Sequence, residues 1–261
     1  MSNVQSRLQS IDQNGYNFKL GDYIGGSFNL FGRNAGLFIG YVVVVFLITT
    51  ILSVIPFLGF IANLLISSTL TAGYYIVAHK TYENENPSFS NFFDGFQKWA
   101  QLFITSLLSG IFVLIAMIPA LIYLSVTVGL AALSSVGRDM SEIAALFLGM
   151  NILVVFLLML IGAMVGVLFL YAPFFVLFDN MEAWEAIKAS ANTVKKQFFM
   201  HLLFGFVWGI IFIISALPLF LGLLVTVPAY ACSVYLAWRD ITKFTTDDVA
   251  DEDDMMRHLI E

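Results

Sequence analysis

Charge is what this chain lacks most. Only 11% of its 261 residues are Asp, Glu, Lys or Arg, whereas a soluble domain carries roughly 25%. That is too little to coat a globular surface for water, so a soluble fold is excluded. Basic residues are also the minority, 12 Lys and Arg against 18 Asp and Glu, which excludes the basic stripe that nucleic acid needs. Cysteine occurs once, as Cys232 within an apolar run, so no disulfide can close inside the chain. Histidine occurs three times, as His79, His201 and His258, and never as an H-E-x-x-H pair. No metal site and no cofactor are expected. Ser109, in "LLSGIF", has no histidine at its depth to act as a base. No catalytic residue is expected, and the chain reads as a non-enzyme.

What is present is apolar length. Hydrophobic residues make up 59% of the chain, and the mean hydropathy is +0.88. A helix crosses the hydrocarbon of a bilayer with about 20 apolar residues. Six runs approach that length: 36–58, 60–78, 102–124, 145–171, 201–217 and 220–238. The fourth lies in a charge-free stretch, 143–178, that is longer than one span needs. The first run begins only after a mostly polar N-terminal stretch, which predicts no cleaved signal peptide.

Lys and Arg stay on the cytoplasmic side of a membrane. Six spans put Arg7, Lys19, Arg33, Lys80, Lys98, Lys188, Lys195, Lys196, Arg239, Lys243 and Arg257 on one side and Arg138 alone on the other. Both termini are therefore expected to be cytoplasmic. Six acidic residues, Asp247, Asp248, Asp251, Glu252, Asp253 and Asp254, crowd the end of the chain. Segment 247–261 reads as an acidic, solvated tail following a single membrane domain, 1–246.

Spacing then suggests repetition. In the stretch "DNMEAWEAIKASANTVKKQFF", Asp179 and Glu182 have capping-box spacing. Trp184, Ile187, Ala191, Val194 and Phe198 share a helical face, with Lys188, Lys195 and Lys196 elsewhere around it. Such a helix is expected to lie in the interface, its apolar face on lipid. Leu20, Ile24, Phe28 and Phe31 form a similar face before the first run, and Phe89, Phe92, Phe96 and Trp99 before the third. Each odd run then ends near a proline: Pro56, Pro119 and Pro218. The reading is an all-α membrane protein with six transmembrane helices in three parallel repeats, near 15–83, 87–179 and 180–243. Each repeat opens with a cytoplasmic-side amphipathic interfacial helix.

The segment "FVLFDNMEAWEAIKASANTVKKQFFMHLLFGF" and the later "ALPLFLGLLVTVPAYACSVYLAWRDI" resemble a broad group of poorly characterised prokaryotic membrane proteins. That group includes the membrane domain attached to some glycerophosphodiester phosphodiesterases. Asp179, Glu185, Ala186, Ile187, Ser190, Val194, Pro228 and Arg239 occupy the positions of its pattern. The resemblance implies a six-span fold in a bacterial inner membrane. It implies no phosphodiesterase activity, because the catalytic domain has no counterpart in the chain.

No Asp, Glu, Lys or Arg falls inside any of the six runs, which argues against a pump or proton-coupled carrier. A polar seam does exist. Asn63, Ser67, Thr71 and Tyr74 line one face of the second run, and Thr226, Tyr230 and Ser233 do so on the sixth. Interhelical hydrogen bonding is the simpler account; a pathway for a neutral or lipid-like solute is the other. The expected role is membrane organisation or envelope maintenance through membrane lipids, or through a protein partner at the cytoplasmic face or acidic tail. A passive transporter or channel is the alternative.

Overall fold

The computed structural model describes residues 3–55, 58–134 and 152–244. Pro56, Arg138, the start of the fourth apolar run and the acidic tail lie outside the described residues. Among the described residues every regular element is helical: α1 (Asn3–Asn14), α2 (Leu20–Arg33), α3 (Ala35–Ser53), α4 (Leu58–Tyr82), a 3₁₀ helix η1 (Phe89–Lys98), α5 (Trp99–Ser134), α6 (Ile152–Val167), α7 (Ala172–Phe178), α8 (Ala183–Lys196), α9 (Phe198–Ala216) and α10 (Leu223–Thr242). Five helical stretches are long and apolar enough to cross a membrane: Ala35–Ser53, Ile61–Tyr82, Phe89–Thr127, Val154–Phe178 and Phe198–Ala216. Their length and composition mark a multi-pass membrane protein.

The chain forms two compact units, Met1–Leu107 with Leu168–Glu261, and Leu108–Val167. In the smaller unit Gly162 of α6 approaches Met117 and Gly166 approaches Val113. Here the small-xxx-small spacing of "GAMVG" brings two helices together. Pro119 was expected at a turn, but α5 runs through it without a break. A transmembrane helix tolerates an interior proline because neighbouring groups re-satisfy the freed carbonyl. The fourth apolar run does end early. Its helix stops at Val167, and a turn over 168–171 leads into the short α7.

In the larger unit α10 is the central element. It packs against α1, α2, α3, α4 and α9, and from Ala231 to Tyr235 every residue is buried. Its surroundings are protein rather than an apolar exterior, which explains why it is not among the five most apolar helices.

Two stretches of this unit share a backbone design. The pair α2 and α8 each has 14 residues, and each breaks at one residue before a 19-residue helix. The breaks are Asn34 at φ −134°, ψ 37° and Gln197 at φ −133°, ψ 44°. With Leu20 set on Ala183, the buried residues Tyr23, Ser27, Leu30 and Phe31 fall on the buried residues Ala186, Ser190, Thr193 and Val194. Continuing in register, Phe38 and Tyr41 fall on His201 and Phe204, all four of them buried.

The apolar faces read from spacing are divided: Phe31, Phe92, Ile187 and Val194 are buried. Phe28 in α2, Phe89, Phe96 and Trp99 at η1, and Trp184 in α8 are exposed. The buried stripe is instead centred on a small residue, Ser27, Gly95 or Ser190. Small side chains let backbones approach, as at Gly95 beside Thr69 and Ala72. Apolar bulk faces outward at no cost where the exterior is itself apolar. Backbone approach is also close at Gly73 of α4, where any Cβ would collide with the Phe92 carbonyl and the Tyr41 hydroxyl.

Candidate functional site

The polar chemistry of the larger unit collects where α2, α4, η1, α8 and α10 carry their basic residues. Arg239 at the end of α10 forms an ion pair with Glu83 and lies 3.9 Å over the Tyr82 ring. It also donates to the Tyr235 hydroxyl at 3.2 Å, and that hydroxyl meets His79 Nδ1 at 2.9 Å. Arg33 donates to Asn84 at 3.2 Å, and Asn34 donates to Thr81 at 3.0 Å. Lys98 caps the end of α7, donating to the Val176 and Leu177 carbonyls and to Asn180. Last-turn carbonyls have no partner within their own helix, so a cation fits there.

The N-terminal segment is fastened to this end. Arg7 of α1 pairs with Asp179 and sits 5.3 Å from the centre of the Phe244 ring. Asp12 accepts from Lys196 at 2.5 Å. The Tyr16 hydroxyl donates to the Thr193 carbonyl at 2.8 Å, and Gln197 donates to the Tyr16 carbonyl at 3.1 Å. Burial raises the pKa of Tyr16 well above its ordinary value, so the phenol stays a donor. Phe18 packs among Tyr23, His201 and Phe204. Lys19 and Tyr23 both donate to Asp240, at 3.0 and 2.6 Å. The hydrogen bond and the charge of Asp240 hold the Lys19 ammonium above its usual pKa.

Asp179 therefore serves as a partner for Arg7. Glu182 stands at the N-cap of α8 with no side-chain cap bond, so the expected capping box does not form. His201 is also fixed in place. Its Nδ1 meets the Gln197 carbonyl at 2.9 Å, which requires an N–H there, and its Nε2 then accepts from Tyr171 at 3.0 Å. Neither His79 nor His201 faces a nucleophile.

The expected seam divides. Ser67 and Thr71 are exposed, and the Thr71 hydroxyl bonds back to the Ser67 carbonyl. Asn63 is half-buried, and Tyr74 is buried against Tyr41. Thr226 bonds to the Gly222 carbonyl within its own turn, and Tyr230 lies among Phe204, Trp208 and Phe212. Ser233 joins helices by hydrogen bonds. It donates to the Tyr23 carbonyl at 3.0 Å and accepts from Trp208 Nε1 at 3.3 Å. A groove of about 690 Å³ between α1 and α8 and one of about 470 Å³ beside Tyr82 and Lys243 lie near the charged end, and neither is lined by seam residues.

On α8, Ile187 is buried whereas Lys188, Lys195 and Lys196 are exposed. The Trp184 indole is half-exposed, with the Lys188 ammonium 5.8 Å from its centre. The buried side of α8 rests on α7 and α1. The latch through Arg7, Tyr16 and Phe18 was not foreseen; the one available signal was aromatic and apolar residues in an otherwise polar N-terminal stretch.

The family described as "Protein of unknown function (DUF975)" matches residues 29–245. The chain belongs to that family. The match takes in everything from the end of α2 to the end of α10, and α1, Tyr16 and Phe18 precede it. No curated protein and no solved structure matches the chain. The DUF975 assignment agrees with a poorly characterised group, and it supplies no link to the phosphodiesterase-attached membrane domain.

Proposed function

We propose that this DUF975 protein is a non-enzymatic, six-span scaffold of the bacterial inner membrane, with both termini cytoplasmic. It acts through membrane lipids and a protein partner at its charged face, in membrane organisation or envelope maintenance. One observation carries the reading. Two histidines and several of the basic side chains at the charged end are committed to partners that tie helices together: His79 to Tyr235, His201 to Tyr171, Arg239 to Glu83, Lys98 to α7. An enzyme or carrier would hold such groups ready for substrate.

The sixth span in this reading is α10, enclosed by its neighbours. The three-repeat reading is supported by the equal lengths and equal breaks of α2–α3 and α8–α9. It is not supported by Pro119, which lies inside a helix. The outward side of α8, with Trp184, Lys188, Lys195 and Lys196, meets anionic headgroups in this arrangement, and the inward side meets protein. Each lysine near such a surface contributes about 1 kcal/mol.

The test is purification of the full chain in native lipid discs, followed by mass spectrometry of the lipids and proteins retained. Enrichment of anionic lipid or of one stoichiometric protein is expected. Retention of neither, together with solute flux in vesicles, would replace the scaffold with a passive transporter.

A further inference from the structure

Two connections in the larger unit have opposite character. At the charged end, α4 leads into η1 through "ENENPS", residues 83–88. At the other end, α9 turns into α10 through "LPLFLG", residues 217–222. In this second turn Leu217, Leu219, Phe220 and Leu221 are all strongly exposed, Leu219 at 85%. No Asp, Glu, Lys or Arg stands anywhere between Lys196 and Arg239. A turn made for water would not show four large apolar side chains and nothing charged.

Backbone geometry points the same way. Irregular chain is not found facing lipid unless its polar groups are satisfied. Most of them are met within the turn. Leu217 donates to Ile214, Leu219 to Leu217, Phe220 to Ala216, Leu221 to Pro218 and Leu223 to Phe220, at 2.9 to 3.3 Å. Pro218 has no N–H to satisfy. Two consecutive left-handed residues, Leu219 at φ 51° and Phe220 at φ 64°, fold the chain tightly enough to do this. That conformation is unfavourable for branched and bulky side chains and needs a compensating gain. The length fits as well. Nineteen residues of α9 rise about 28 Å, just short of the roughly 30 Å of hydrocarbon.

We infer that the α9–α10 turn does not emerge into water but ends among the acyl chains and glycerol region of the far leaflet, with Leu217, Leu219, Phe220 and Leu221 as its lipid contacts. The hairpin is anchored at one face of the membrane and dissolved in the other. This rests on the membrane-spanning reading proposed above. It sets the turn apart from segment 135–142, "SVGRDMSE", whose charges require water.

Single cysteines test it in the full chain, reconstituted in phosphatidylethanolamine–phosphatidylglycerol vesicles with a charged maleimide on both sides of the membrane. Insertion orientation then has no effect on the outcome. The native Cys232 is fully buried and sets the background. Lys195→Cys, at an exposed water-side position, should label. Phe206→Cys, exposed midway along α9, reports whether that helix lies in lipid. Leu219→Cys and Leu221→Cys should lose labelling to the level of Phe206→Cys. Labelling of both turn positions at the rate of Lys195→Cys, with Phe206→Cys still protected, would overturn the inference and leave the membrane reading standing. Labelling of Phe206→Cys as well would remove both. Each variant is scored only as the monodisperse species on gel filtration, and two turn positions guard against one failing to fold.

Discussion

Ser27 and Ser190 occupy the same place in two helix pairs of equal length, and both are fully buried. Their bonds differ. Ser27 turns its hydroxyl back to the Ile24 carbonyl of its own helix at 2.7 Å. Ser190 donates to the Leu168 carbonyl at 2.8 Å and accepts from the Tyr171 N–H at 3.1 Å, holding the turn before α7. The next matched pair, Phe38 and His201, repeats the contrast. Phe38 packs on Phe31 and Phe92, whereas His201 bonds to Tyr171 and Gln197. At these two matched positions one backbone plan thus serves two chemistries: α2–α3 places a self-bonded serine and a packed ring where α8–α9 places members of a buried polar network. A network of that kind fails when one member is removed.

The largest test of this difference is at Asp179, which α1 reaches through Arg7 and which has no matched acid fastened by α1 in the first pair. Asp179→Ala leaves the Arg7 cation almost wholly buried. Breaking a buried pair from one side costs about 3–5 kcal/mol. The variant should lose that much stability in mixed-micelle denaturation and become sensitive to protease around residue 15. A loss below about 1 kcal/mol, the scale of an exposed pair, would show that the latch is solvated and that α1 is not part of the second pair's support.

Next in size is the serine pair itself. Ser190→Ala strands a buried N–H and a buried carbonyl and should cost about 1–3 kcal/mol. Ser27→Ala removes a back-bond that slightly disfavours the helix, and should change stability by less than about 0.5 kcal/mol. Equal losses at the two sites would erase the distinction between a packed pair and a bonded one.

Five apolar helices of membrane-crossing length, and the break between amphipathic and apolar helix, were legible in the sequence, because length and charge are what a bilayer sorts. Which face is buried was legible only in part. Of the faces that periodicity selected, Phe31, Phe92, Ile187 and Val194 are buried, whereas Trp184, Phe28, Phe89 and Phe96 face outward. In water an apolar stripe points to the core; in a bilayer the exterior is as apolar as the core, so bulk carries no direction. Smallness does, and Ser27, Gly95 and Ser190 mark the buried side. The central position of α10 was hidden for the same reason, since its Thr, Ser, Tyr and Cys residues make it the least lipid-like of the long helices. The seam dissolved because Thr71 and Ser233, alike in sequence place, sit respectively outside and inside.

A smaller effect is expected where the second pair is made to resemble the first. His201→Phe keeps a flat aromatic ring, slightly larger than imidazole, and removes two bonds, but the Gln197 carbonyl still accepts the backbone N–H of residue 201 at 3.2 Å. Only the Tyr171 hydroxyl loses its acceptor, a net loss of about 1 kcal/mol. The double variant Tyr171→Phe with His201→Phe should recover most of it, and a loss that grows in the double variant would mean that packing, rather than the hydrogen bond, carries the site.

The smallest effect belongs to the exposed tie at the start of α2. Lys19 and Asp240 form an ion pair at 3.0 Å with both side chains open to solvent, so the attraction is screened. Asp240 holds the folded Lys19 pKa above its ordinary 10.5, chiefly through the hydrogen bond and then through charge. A raised folded pKa contributes stability that is complete below the unfolded value and disappears as pH rises through the folded one. Lys19→Met should therefore melt slightly below the parent at neutral pH, with a gap that narrows only once pH exceeds 10.5. The carboxylate keeps its bond from Tyr23 at 2.6 Å in either protein, which limits the gap from the start. Thermal unfolding of the two proteins side by side at neutral and strongly alkaline pH measures it. A gap that widens with pH would assign the tie at Asp240 to the Tyr23 phenol instead of the ammonium.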